Sequence, residues 1–188
     1  MSALPKHEMT AEDFLAWDLK QPKSEAGKIE LADGLVIRQP SERIIHVEVK
    51  AALAAVLRDA VARAEVPCFG LSDGAAVRIA PNKVYKPDGL VYCAPRLPPE
   101  TVEIPNPIII FEVLSEDSLK RDHGDKVEAY FDLPSVQHYL IVDPERRAIV
   151  HHRRGPDDDL LTRIRKSGRM RFDPPGIEID VAAVFERE

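Results

Sequence analysis

Cysteine is scarce in this chain: 188 residues contain two, Cys68 and Cys93. Two thiolates are too few for a finger-type zinc site. Both lie inside apolar, strand-like segments, so the sequence predicts a pair of buried reduced thiols, with a disulfide as the alternative. No apolar run approaches the roughly 20 residues that a membrane span requires. The opening MSALPKHEMT holds no apolar stretch of the kind a secretory signal needs. A cytoplasmic location is therefore the expectation. There is no P-loop, no GxGxxG and no GxSxG, which disfavours common NTPases, dinucleotide enzymes and serine hydrolases. Repeats and low-complexity tracts are also missing. With 44% hydrophobic and 31% charged residues, the chain can bury a core. Its length predicts one domain over residues 1–188, with the core from about 10 to about 185.

Positive charge is in deficit, the formal net charge being −6, which on its own discourages a nucleic-acid partner. The distribution is uneven. Residues 144–172 carry nine Lys/Arg against four acids, a local +5. Such a segment could follow a phosphate backbone or form an ordinary solvated hairpin surface.

Thr10-Ala-Glu-Asp13 is a capping pattern for a short helix that buries Phe14, Leu15 and Trp17. KIEL and LVIRQP flank Ala32-Asp33-Gly34, a hairpin signature. Ser41 is placed to cap a long helix reaching about Glu65, because Ile45, Val49, Leu53, Val56, Leu57, Ala60 and Val61 recur at helical spacing. VPCFG, AAVRIA and GLVYCA read as strands. PIIIFEVLS has the apolar continuity of a central strand buried on both faces. A helix over about 119–133, stopped by Pro134, precedes strands HYLIVD and AIVHHR, with a turn at Pro144-Glu145. LLTRIR, GIEID and VAAVF close the chain. The fold class this predicts is α/β, a mixed β-sheet flanked by α-helices.

Two acids interrupt that pattern. Glu112 sits in the apolar PIIIFEVLS strand and shares a face with Ile108, Ile110 and Leu114. A carboxylate there loses hydration, at several kcal/mol unless a cation, a Lys or Arg partner, or exposure at the strand mouth compensates. Asp88 follows Pro87 and opens the strand GLVYC; alternatively Pro-Asp-Gly is a simple turn. Acids at the ends of adjacent strands would offer oxygens to one hard cation. Left without a metal, their mutual repulsion and desolvation would raise at least one of the two pKa values. His151 and His152 are adjacent on a strand, so they point to opposite faces and do not share a metal.

A Pro-Asp opening one strand and a Glu on a later apolar strand resemble the PD-(D/E)XK motif of restriction-endonuclease-like enzymes. More closely, the chain resembles the Uma2 family of bacterial endonucleases within that superfamily. The matching pieces are Ile29-Glu30-Leu31 with Asp33-Gly34, Pro40, His46, Pro87-Asp88, FEVLS at 111–115, Arg121-Asp122, Lys126 with Tyr130, and YLIVDP at 139–144. They occur in the family's order. The resemblance implies a restriction-endonuclease-like fold and DNA phosphodiester hydrolysis. It implies Mg²⁺ or Mn²⁺ held by Asp88, Glu112 and the Val113 carbonyl, and a homodimer. The superfamily's lysine two residues after the glutamate is Leu114 here. The family instead carries a lysine on the following helix, which matches Lys126; otherwise Lys126 is a solvated partner of Asp122. Glu30 would be a further ligand or orient a water, and His46 would contact phosphate or hold Glu30. Tyr130 and Arg121 would support the site. The missing lysine and the net acidity leave open a non-catalytic DNA- or protein-binding module on the same fold. A hydrolase of another phosphate ester is a third possibility.

Overall fold

A computed structural model describes residues 4–21, 28–38, 41–114 and 123–186. Its larger sheet has six strands in the order β10-β9-β8-β7-β6-β3. These are β3 (Cys68–Ser72), β6 (Gly89–Cys93), β7 (Pro107–Val113), β8 (His138–Asp143), β9 (Ala148–Arg154) and β10 (Leu160–Arg165). Only β7 and β8 are parallel; every other neighbouring pair is antiparallel. A parallel pair needs a long crossover, and α3 (His123–Phe131) lies within it. The apolar run of β7 suits its central position, with Ile109, Ile110 and Phe111 fully buried.

Opposite faces of this sheet are covered by different elements. Helix α2 (Ile44–Ala64) lays Val49, Leu53, Leu57, Ala60 and Val61 against Ile109, Phe111, Leu140 and Ile149. The hairpin of β11 (Arg169–Phe172) and β12 (Ile177–Asp180) joins that cluster through Met170, Phe172, Ile177 and Ile179. On the other face, Ala129, Tyr130 and Phe131 of α3 pack with Ile110, Tyr139 and Ile141.

The second sheet is antiparallel, in the order β2-β1-β5-β4. Its strands are β1 (Ile29–Ala32), β2 (Leu35–Arg38), β4 (Val77–Ala80) and β5 (Lys83–Tyr85). Asp33 and Gly34 both take positive φ, 48° and 81°, the requirement of a two-residue hairpin whose twist matches its strands. Helix α1 (Ala11–Asp18) is capped by Thr10, whose hydroxyl accepts from the Asp13 N–H at 3.2 Å. It buries Phe14 against Leu31, Val36 and Val84.

Three expectations need correction. Cys68 and Cys93 are a disulfide rather than reduced thiols. The antiparallel register sets them directly opposite across β3 and β6, a juxtaposition that spacing along the chain does not reveal. The thiol argument for a cytoplasmic location falls with it. Among the described residues, no helix is long and apolar enough to cross a membrane. Ser41 does not cap α2. Arg43 holds the N-cap position with extended backbone and makes no capping hydrogen bond from its side chain, while Glu42 is drawn to Lys50 and Arg43 to Glu145. Finally, β5 and β11 were not anticipated. KVY is too short to show a period, and the arginines of RMRF hide its alternation of buried Met170 and Phe172.

His138 and His151 are buried side by side on β8 and β9, their Nδ1 and Nε2 atoms 3.0 Å apart. The other nitrogen of His138 lies 2.8 Å from the Pro174 carbonyl, to which it must donate. Nδ1 of His138 is then an acceptor, and His151 donates to it. Burial pushes His138 down to about 4. Burial, reinforced by His138, pushes His151 down to about 3. Unfolded imidazoles take protons near pH 6.5, whereas the folded pair resists until about pH 4. Stability therefore rises with pH across that window and is lost as pH falls through it. Thermal melts from pH 7 to pH 4 should show a smaller loss of Tm for His151→Phe than for the parent. Equal losses would remove the histidine pair from the acid response.

Candidate active site

The two sheets meet where five elements contribute charged side chains. Asp88 immediately precedes β6, and Gly89 pairs with Phe111. One step further along that register sets Asp88 across from Glu112, within reach of the Val113 N–H. Close approach of the strands here requires Gly89, because a Cβ would lie 2.3 Å from the Phe111 ring. So Pro87-Asp88-Gly89 is a strand entrance and not a free turn.

Asp88 is 3% exposed. Its Oδ2 accepts the Val113 N–H at 2.7 Å. Its Oδ1 meets two ammonium groups, Lys28 at 2.7 Å and Lys50 at 2.9 Å. Glu112 turns Oε1 to the ammonium of Lys126 and to the hydroxyl of Tyr130, each at 2.9 Å. Its Oε2 lies 3.7 Å from Lys28. The Lys28 ammonium therefore sits between the two acids. Glu30, on β1, accepts the Lys86 N–H at 3.0 Å and lies 3.5 Å from Lys126. Lys50 is bound at its outer side by Glu42.

The expected repulsion between Asp88 and Glu112 is overturned for Asp88. Burial alone would raise its pKa, but the ammonium groups of Lys28 and Lys50 and the Val113 N–H outweigh burial and hold it below the usual value. The lysines respond in the opposite sense. Burial would lower Lys28, yet Glu112, Asp88 and Glu30 raise it. Lys126 is raised by Glu112 and Glu30 against the same opposition. Burial, then the charge of Glu112, raises Tyr130. Tyr130 is therefore a neutral hydroxyl donating to Glu112.

Asp88, Glu112, Lys126, Glu30 and Tyr130 thus come together. Leu114 packs under α3 with the apolar cluster there, and Lys126 reaches Glu112 from the helix instead. His46 lies on the first turn of α2 and is 3% exposed, with neither ring nitrogen hydrogen-bonded. It does not hold Glu30 by a hydrogen bond. Arg121, with Asp122 and Pro40, lies outside the described residues. Three participants escaped the sequence: Lys28, Lys50 and Glu42. Lys28 had a signal, since it lies two residues before Glu30 and shares its strand face. Lys50 stands four residues after His46, on the same helix face. Glu42 had none.

Among the described residues, no three His, Cys, Asp or Glu converge as a metal-binding group. The donor chemistry still suits a hard cation. Asp88 Oδ1 and Glu112 Oε2 already face one positive charge, the Lys28 ammonium. Mg²⁺ is commonly held by one or two carboxylates with water completing the shell.

A family model described as "Putative restriction endonuclease", Uma2, matches residues 11–182. Among solved structures, the chain is similar to a protein from Anabaena variabilis ATCC 29413 titled as a putative nuclease belonging to DUF820. The two share 16% identity over 94% of this chain and 97% of that one, with a TM-score of 0.69. No curated protein matches.

With Asp88 ion-paired to two lysines, its removal takes the nearer counter-charge from Lys28 and one of the two from Lys50. Asp88→Asn should destabilise the metal-free protein by about 3–5 kcal/mol, read from urea unfolding in EDTA. A variant as stable as the parent, or more stable, would show that the pairing adds nothing to the fold.

Proposed function

Because this chain belongs to the Uma2 family, whose fold and residue pattern it carries, we propose that it is a metal-dependent endonuclease hydrolysing phosphodiester bonds in DNA. One observation carries the reading: Asp88 and Glu112, on adjacent strands, direct oxygens at a single cationic position, 2.7 and 3.7 Å from Lys28 Nζ. Asp88 and Glu112 would hold Mg²⁺ or Mn²⁺. The cation supplies charge neutralisation at the phosphate and a lowered pKa for a bound water.

The chain's own residues do the remaining work. Lys126, drawn to the site by Glu112 and Glu30, places an ammonium where negative charge gathers on the phosphate. Tyr130 donates to Glu112 Oε1, which fixes the carboxylate's rotation and leaves Oε2 facing the cation position. His46 adds an unpaired buried donor beside Lys50, fit for a phosphate oxygen. Arg165 extends the reading beyond the centre. Register links Val113 to Val142, Ile149 and Arg165 across three strand spacings, about 14 Å at ordinary sheet geometry. Exposed Arg163 and Arg165 on the edge strand offer a track for flanking phosphates.

A non-catalytic reading draws on one feature: Asp88, Glu112 and Glu30 are each already paired with lysine. Nicking of supercoiled plasmid in Mg²⁺ or Mn²⁺ separates the two. The parent should nick, and Glu112→Gln should abolish nicking while keeping the parent's circular dichroism. Lys126→Ala should slow the chemical step by the equivalent of about 2.7–4 kcal/mol, as for loss of a preorganised transition-state donor. A parent that binds Mn²⁺ without nicking DNA would point to a hydrolase of another phosphate ester, and one that binds no Mn²⁺ to the binding module. Unchanged nicking by Glu112→Gln would remove that residue from the chemistry.

A further inference from the structure

Of the three site lysines, Lys28 is the one that touches both proposed ligands. Lys50 is anchored in α2 and keeps Glu42 besides Asp88. Lys126 is anchored in α3 and keeps Glu30 besides Glu112. Lys28 stands one residue before β1, outside regular structure; its ammonium contacts Asp88 and Glu112, and Glu30 acts on it as a more distant charge. If those two carboxylates turned to another cation, Lys50 and Lys126 would each retain a counter-charge. Lys28 would retain only the more distant charge of Glu30, which Lys126 already contacts.

A dication and this ammonium also exclude each other sterically and electrostatically. Ligand oxygens lie about 2.0–2.6 Å from Mg²⁺ or Ca²⁺-like hard cations. Lys28 Nζ already stands at 2.7 Å from Asp88 Oδ1, on the side facing Glu112. Asp88 Oδ2 accepts the Val113 N–H, and Oδ1 is the oxygen that meets the ammonium standing between the two acids. With Lys28 in place, an arriving dication would share Asp88 Oδ1 with two ammonium groups. Removing Lys28 relieves that repulsion and opens the position between the acids.

We infer that Lys28 is an internal cation that holds the metal position closed and is expelled when a divalent ion binds between Asp88 and Glu112. The inference rests on the cation-binding reading above. The side chain is 14% exposed where it stands, so its long stem has an outward route. Once outside, its ammonium is a mobile positive charge at the rim of the site, available to a substrate phosphate. The same exchange sets a threshold: free metal must outcompete a tethered ammonium before the centre is assembled.

The test uses the parent protein first and two lysine variants after it. Lysine acetylation by acetic anhydride, read by peptide mass spectrometry, is compared in EDTA and in saturating Mg²⁺, with metal binding followed separately by calorimetry. Lys28 should be protected in EDTA and label several-fold faster with Mg²⁺, while Lys126 stays protected in both. Lys28→Met should bind Mn²⁺ at least tenfold more tightly than the parent, and more tightly than Lys126→Met. If the parent binds metal and Lys28 labelling is unchanged or falls, the exchange is wrong while the cation reading stands. Metal binding by Lys28→Met but not by the parent would show that Lys28 closes the position and would overturn its expulsion by metal. If neither binds, both the exchange and the cation reading fall.

Discussion

An ionised carboxylate withdrawn from water must be met by positive charge, and Asp88 shows how completely this site obeys that constraint. Its two oxygens accept one backbone N–H and two ammonium groups. Glu112 is met by Lys126, Lys28 and a tyrosine hydroxyl. Desolvating both charges of an ion pair costs more than the pair returns unless additional hydrogen bonds fill the remaining valences. Both oxygens of Asp88 are met in this way, and Oε1 of Glu112 is, while Oε2 faces Lys28 at 3.7 Å. The consequence reaches beyond stability: the charged groups fix which strand ends and which helix faces converge.

The fold supplies the convergence from two sheets rather than one. β6 and β7 carry the acids of the larger sheet, β1 carries Glu30, and α2 and α3 approach from opposite faces. Tyr130 ties these layers together. Its ring packs edge-on to Tyr85 of the smaller sheet at 5.7 Å and against Tyr139 of the larger at 4.9 Å. Its hydroxyl ends on Glu112. Lys126, one turn earlier on α3, lies over the Tyr85 ring at 5.1 Å, a placement that favours a cation over an aromatic face.

What could be read from the sequence follows from how strongly each residue's neighbours constrain it. Glu112 was legible because a carboxylate inside PIIIFEV breaks an apolar run that only a buried strand requires. The core stripe of α2 was legible because its period matches the helix. Asp33-Gly34 was legible because few other pairs accept two positive φ values. Lys28 and Lys50 were not, since a lysine stem reaches several ångströms in many directions and its endpoint depends on tertiary neighbours. The disulfide depended in the same way on the register of β3 against β6. β5 is specified by its pairing with β1 and β4 rather than by any pattern of its own three residues. The roles of the site residues were suggested by family resemblance; the distances between them had to come from the structure.

Leu114 shows what moving the lysine from strand to helix changes. In the usual motif the lysine shares a strand face with the glutamate, so the sheet alone fixes the ammonium beside the acids. Here position 114 is apolar and joins Val127, Ala129 and Tyr130 in the cluster under α3. Hydrophobic burial at 114 therefore helps dock the helix that returns Lys126 to Glu112. Charge balance at the centre becomes contingent on α3 packing, since displacing that helix removes an ammonium and a hydroxyl from Glu112 at once. A strand-borne lysine would be indifferent to such a displacement. The substitution thus converts a fixed electrostatic element into one coupled to tertiary docking, with the apolar side chain of Leu114 at the junction.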